Sequence, residues 1–100
     1  MEKLKAHYSL REIQAMVARD GSRTFTFAAR RGAESMGLSR AEAIDVVLAL
    51  TGSMLYKSMA THSDNKVWQD VYHAPCPNGK VAYIKLTVQD GAVVIQFKEK

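Results

Sequence analysis

The chain has 100 residues, 47% of them apolar and 24% charged, with a formal net charge of +4. That is the length of one domain with the composition of a folded chain, which excludes a disordered tail and a multi-domain assembly. No apolar run approaches the roughly 18 residues of a membrane-spanning helix, no signal-peptide pattern stands at the start, and the lone Cys76 has no internal disulfide partner, so a reducing, cytoplasmic setting away from membranes is expected. The positive balance favours a polyanionic partner such as nucleic acid.

Met1–Tyr8 reads as a loose basic lead-in. Ser9-Leu10-Arg11-Glu12 fits a capping box, with the hydroxyl accepting from the Glu12 amide and the carboxylate reaching back. Leu10, Ile13, Met16 and Val17 then recur at helical spacing and Gly21 supplies a stop, predicting a helix over Leu10–Arg19. Asp20–Thr26 is a connector with a short strand at Thr24-Phe25. A second helix over Phe27–Met36 ends at Gly37-Leu38, a pairing that suits a left-handed glycine cap with a hydrophobic contact after it. Gly32 inside that helix weakens it by about 1 kcal/mol relative to alanine. Ser39-Arg40-Ala41-Glu42 repeats the capping box, and Ala41, Ile44, Val47, Leu48 and Leu50 form an apolar stripe closed by Gly52. This third helix, Arg40–Thr51, is expected to lie across the apolar face of a sheet.

After Gly52 the period changes from helical to alternating. Met54–Thr61 and Val67–His73 read as strands joined by the polar turn His62-Ser63-Asp64-Asn65-Lys66. Pro75-Cys76-Pro77-Asn78-Gly79 leads into a hairpin over Val81–Lys98, whose Asp90-Gly91 turn is the strongest local signal in the chain. That turn sets Gln89 opposite Ala92 and Tyr83 opposite Lys98. The expected architecture is α+β in two layers, three N-terminal helices packed on one face of a four-stranded antiparallel meander.

Side chains alternate across a strand, so the connectors decide which residues share a face. Lys57, Met59, Gln69, Val71, Tyr83, Lys85, Gln96 and Lys98 fall on one side. Trp68, Tyr72, Ile84, Leu86, Val88, Val93, Ile95 and Phe97 fall on the other, as a core. Tyr56 alternates onto the core side. So does Asp70, which a strand edge or a partner must accommodate.

On the polar face, lysines around Tyr83 favour the phenolate and depress one another's proton affinity. A phosphodiester fits such a surface. Cations stabilise a phosphorane while a general base takes the proton of a neighbouring hydroxyl, which RNA carries at its 2′ position and DNA lacks. The chemistry this predicts is metal-independent RNA cleavage with no cofactor; on alternation alone, a solvated basic surface is the simpler reading. His7, His62 and His73 read as surface histidines, with an RNA contact at His62 or His73 as the alternative. Cys76 reads as an inert thiol, no metal-ligand spacing is evident, and Arg19, Arg23, Arg30 and Arg31 read as a solvated face. Two other function classes fit the charge: a non-catalytic nucleic-acid-binding regulator and a module that binds only protein.

Tyr56-Lys57-Ser58-Met59, then Ser63-Asp64, Trp68-Gln69-Asp70-Val71-Tyr72, Val81, Tyr83-Ile84-Lys85-Leu86-Thr87-Val88 and Phe97-Lys98-Glu99-Lys100 resemble the MqsR family of bacterial toxins. The resemblance covers the second half densely and the first half by layout. It implies a RelE-like toxin fold and an mRNA interferase of a type II toxin–antitoxin pair, cutting mRNA without a metal at GCU-type sites. It also implies a cognate antitoxin of the MqsA kind, often a zinc-containing helix-turn-helix protein, through which promoter DNA is met indirectly. The family's active-site lysine falls on Lys57, its glutamine on Gln69, its tyrosine on Tyr83 and its C-terminal lysine on Lys98. Tyr56 and Met59 fall beside the site, and Lys85 extends the RNA-binding face. The roles expected are Tyr83 or Lys57 as general base, Lys98 with Lys57 on the phosphorane, and Gln69 holding a phosphate or a base edge.

Overall fold

A computed structural model describes residues 1–60 and 67–100. The turn expected at His62–Lys66 lies outside the described residues. In chain order the elements are β1 (Glu2–Lys3), α1 (Leu10–Asp20), α2 (Phe27–Ser35), α3 (Arg40–Leu48), β2 (Leu55–Ala60), β3 (Trp68–Pro75), β4 (Val81–Gln89) and β5 (Ala92–Glu99). The strands form one antiparallel sheet in the order β1-β2-β3-β4-β5, and the architecture is α+β as expected.

The β4–β5 hairpin follows from its turn. Asp90 and Gly91 both take left-handed backbone angles (φ 52 and 76), as a two-residue turn matched to strand twist requires. Gln89 therefore faces Ala92 and Tyr83 faces Lys98. Ile84, Leu86, Ile95 and Phe97 are buried against Ile13 and Val17 of α1 and Ala29 and Ala33 of α2.

The helices begin where side chains satisfy their free amides. Ser9 Oγ accepts from the Glu12 amide but the Glu12 carboxylate does not reach back, so half of the box expected there forms, whereas Ser39 with Glu42 completes a reciprocal capping box at α3. Thr26 caps α2 by accepting from the Ala29 amide, a start signal not read in the sequence. Helix α2 ends as anticipated: Gly37 is left-handed (φ 83), and the Gly37 and Leu38 amides donate to the Glu34 and Ala33 carbonyls. Helix α3 stops at Leu48, short of Thr51. Past that end Gln14 on α1 satisfies the freed backbone, its side-chain amide donating to the carbonyls of Val47, Leu48 and Leu50.

Two expectations are corrected. Helix α2, not α3, lies against the sheet, while α3 packs on α1 and α2. Phe25 bridges in parallel to Ile95, where a short strand was expected, and the Thr26 amide donates to the Ile95 carbonyl at 3.1 Å. A Cβ on Gly32 would stand 2.0 Å from the Phe97 carbonyl oxygen, so Gly32 is the point at which the helix touches β5 rather than a weakness in it.

Nor is the N-terminus a loose lead-in. Glu2 pairs with Met59 and Lys3 with Ser58, adding a fifth strand. The Asp70 carboxylate, 0% exposed, accepts from the His7 amide at 3.0 Å, the Tyr8 amide at 2.9 Å and the Ser58 hydroxyl at 2.6 Å. A buried carboxylate must find donors, and residues 7–8 supply them. Trp68 is only half-buried, at the margin of the core, with His7 stacked on it at 5.1 Å and Lys3 Nζ 4.3 Å from its ring centroid.

Candidate active site

Strand register lines up three transverse rows on the face away from the core. Met59 pairs with Gln69. The next row runs Lys57–Val71–Lys85–Gln96 across four strands. The third runs His73–Tyr83–Lys98. Adjacent rows are two residues apart along the strands, roughly 7 Å.

Tyr56 departs from the alternation. Leu55 faces Tyr72 while Lys57 faces Val71, so Tyr56 is the extra residue of a β-bulge. The bulge re-aims its ring to stack on His73, with centroids 4.5 Å apart and planes at 21°. Tyr56 thus joins the polar face, and the core side predicted for it is wrong. His73 in turn lies 5.5 Å from the Tyr83 ring, giving a three-ring cluster of Tyr56, His73 and Tyr83.

Cations surround that cluster. Lys98 Nζ is 5.3 Å and Lys85 Nζ 5.9 Å from the Tyr83 ring centroid, and Lys57 Nζ is 5.4 Å from that of Tyr56. Lys57 also meets a group that the sequence did not bring to notice. Glu2 Oε2 lies 2.7 Å from Lys57 Nζ, carried there by the pairing of β1 with β2. This hydrogen bond to Glu2 pushes the Lys57 ammonium above its ordinary value, with burial opposing, and holds the Glu2 carboxyl below its own. The depression expected from crowded lysines is reversed at this position.

Tyr56, Lys57, Tyr83, Lys85 and Lys98 lie in or beside two adjacent rows, and Met59 and Gln69 make the third, one row from Lys57. Gln69 is two rows from Tyr83, roughly 13 Å along the strand direction. His73, read as a surface histidine, sits between two tyrosine rings, and burial, with Lys100 adding to it, pushes its imidazole below the ordinary histidine value. Its parity with Tyr83 was the available signal. Glu2 had none, because a two-residue strand carries no periodicity.

Beside the rows, a cleft of about 440 Å³ opens between α2 and the hairpin, with Tyr83, Lys85, Gln96 and Lys98 on the sheet and Thr26, Ala28 and Ala29 on the helix. Cys76 is buried, and burial pushes its thiol up, holding it in the unreactive protonated form. Among the described residues no three carboxylate, imidazole or thiol groups cluster around a common point, and no helix is long and apolar enough to cross a membrane.

Residues 5–99 match the family model described as "Motility quorum-sensing regulator, toxin of MqsA". The chain belongs to this MqsR toxin family. It is also 38% identical over 100 residues, covering 100% of both chains, to the mRNA interferase toxin MqsR of Escherichia coli (strain K12). Three helices on an antiparallel sheet accord with the RelE-like fold of MqsR toxins.

Proposed function

We propose that this MqsR-family chain is an endoribonuclease, the toxin of a type II toxin–antitoxin pair, cutting mRNA without a metal and thereby arresting translation. The observation that carries the reading is the Tyr83 ring set between two lysine ammonium groups on an accessible sheet face, one row from Lys57. The relative from Escherichia coli, named an mRNA interferase, supports it across the whole chain.

In this reading the phosphodiester lies across the two rows. Lys57, ion-paired to Glu2 at 2.7 Å, acts as a cation in this reading. Tyr83 takes the 2′-hydroxyl proton as the 2′-oxygen attacks phosphorus. Lys57 and Lys98 stabilise the phosphorane charge, acting from fixed positions that need no reorganisation. The bond from phosphorus to the 5′-oxygen breaks as that oxygen takes a proton from solvent, leaving a 2′,3′-cyclic phosphate and a 5′-hydroxyl end. Lys85 and Tyr56 hold the flanking strand, while Gln69 and Met59 meet it further along. The preference for GCU-type sites, the cytoplasmic setting, the MqsA-like antitoxin and the indirect meeting with promoter DNA belong to the same proposal.

The deciding assay incubates purified protein with a defined mRNA in EDTA. Cleavage leaving 2′,3′-cyclic phosphate ends is expected, and Lys57→Ala and Tyr83→Phe should each lower it by roughly a hundredfold or more with melting unchanged. Retention of RNA without cutting would point instead to the nucleic-acid-binding regulator.

A further inference from the structure

The pairing of β1 with β2 does more than bring Glu2 to Lys57. Glu2 faces Met59 and Met59 faces Gln69, so these three side chains stand in one transverse row on the face away from the core. That row lies next to the row of Lys57 and two from that of Tyr83. Adjacent strands are about 4.8 Å apart, which sets Glu2 and Gln69 roughly 10 Å apart at their backbones. Met59, half-buried, lies between them. An acid and an amide thus flank a thioether across the width of one nucleobase.

Glu2 is the odd member of this face. Its neighbours are lysines suited to phosphates, which a carboxylate repels. Apart from its hydroxyls, the donors that RNA offers are on its bases, and cytosine carries an amino group where uracil carries a carbonyl oxygen. The carboxylate is in place to meet such a donor. Its Oε2 is held 2.7 Å from Lys57 Nζ, the side chain is still 60% exposed, and Oε1 makes no hydrogen bond among the described residues. The hydrogen bond from Lys57 also keeps the carboxyl below its ordinary value, and so ionised. The strand beneath is anchored twice. The Ala60 amide donates to the Met1 carbonyl at 2.9 Å, and Lys3 Nζ lies 4.3 Å from the Trp68 ring centroid. An acceptor aimed before RNA arrives costs little to order.

We propose that the Glu2–Met59–Gln69 row is a base-reading subsite, in which an unpaired base beside the cut lies on the Met59 thioether and the Glu2 carboxylate accepts from its exocyclic amino group, selecting cytosine over uracil. The inference rests on the RNA-cleavage reading and extends it, making β1 a determinant of which sequences are cut. With cytosine the carboxylate gains a charge-assisted hydrogen bond; with uracil it faces a carbonyl oxygen, and the two acceptors repel. The Met59 sulfur packs against either ring, so the discrimination falls to Glu2.

The test uses the full chain and its Glu2→Gln variant on short RNAs that differ by cytosine or uracil at one position flanking the cut, each position taken in turn. Both kcat and KM are measured for every RNA. The parent should favour cytosine about tenfold at one position, through KM. A glutamine amide both donates and accepts, so Glu2→Gln should bring that ratio near one, weakening the cytosine RNA and strengthening the uracil RNA. The ratio is the readout because any change at Lys57 acts on both RNAs alike. Equal ratios in parent and variant, or a loss of both RNAs in the same proportion, would overturn the subsite and leave the nuclease reading standing. If the parent cuts no RNA, that reading fails, and anisotropy with fluorescein-labelled 2′-deoxy analogues decides the subsite. A cytosine preference in binding that is lost in Glu2→Gln supports it, and the same ratio of affinities in the two proteins overturns it.

Discussion

The two ends of the candidate site are built by different means. At the β4–β5 end, Tyr83, Lys85, Gln96 and Lys98 are placed by one turn between neighbouring strands, and slipping that register by a residue would bury the lysines. At the β1–β2 end, Lys57 is held by Glu2, 55 positions away, and the N-terminal segment is fixed by Asp70, 63 positions from His7. Tyr56 there reaches the face only through a bulge. The hairpin end is secured locally and the other end by distant contacts. The two should therefore be separable by mutation.

Asp70→Ala should separate them most strongly. It leaves the His7 and Tyr8 amides and the Ser58 hydroxyl without their buried acceptor, at about 1–3 kcal/mol for each unsatisfied group. A loss of about 3 kcal/mol or more in urea unfolding is expected. Amide exchange should show β1, residues 7–8 and β2 losing protection first, while Ile84, Leu86 and Ile95 keep theirs. Simultaneous loss at both ends would show that the site is one cooperative unit and break the distinction.

The same division accounts for what could be read from the chain. The hairpin register, the capping box of α3, the Ser9 half of the α1 cap and the placement of Lys57, Gln69, Tyr83 and Lys98 on one face follow from rules that act over a few residues, and these stand in the structure. The fifth strand, the Tyr56 bulge and the helix that meets the sheet do not. Asp70 carried a hint, since a carboxylate on the core side demanded donors, but nothing local said that His7 and Tyr8 would supply them. Gly32 reads as a weak helix position until the Phe97 carbonyl is seen against it. Close approach is a property of the partner surface, which alternation and capping do not describe.

A smaller effect is expected at Glu2. Lys57 must be an ammonium to hold a phosphate, so its contribution is lost as pH rises through its pKa, and Glu2 moves that loss upward. Glu2→Gln should shift the alkaline limb of the rate profile to lower pH, with less than about a fivefold change in rate at neutral pH, because an exposed ion pair is a weak constraint. An unmoved alkaline limb would detach the N-terminal strand from the chemistry and leave it a purely structural device.

The smallest effect lies at His73, where the two ends meet. Its Nε2 is buried with no hydrogen-bond partner among the described residues, and the ring lies between Tyr56 and Tyr83 with Lys100 as the nearby charge. Burial holds its folded value below the ordinary 6.5. Between that folded value and 6.5 the unfolded chain therefore binds more protons than the folded one, and stability rises with pH across the interval. The contribution is present in full above 6.5 and is lost as pH falls through the folded value. His73→Phe keeps a ring between the tyrosines and removes the titration. Its Tm should consequently drop less than the parent's between pH 7.5 and pH 5.5. A variant that tracks the parent over that range would place the acid sensitivity elsewhere, and the ring cluster would then owe its arrangement to the Tyr56 bulge alone.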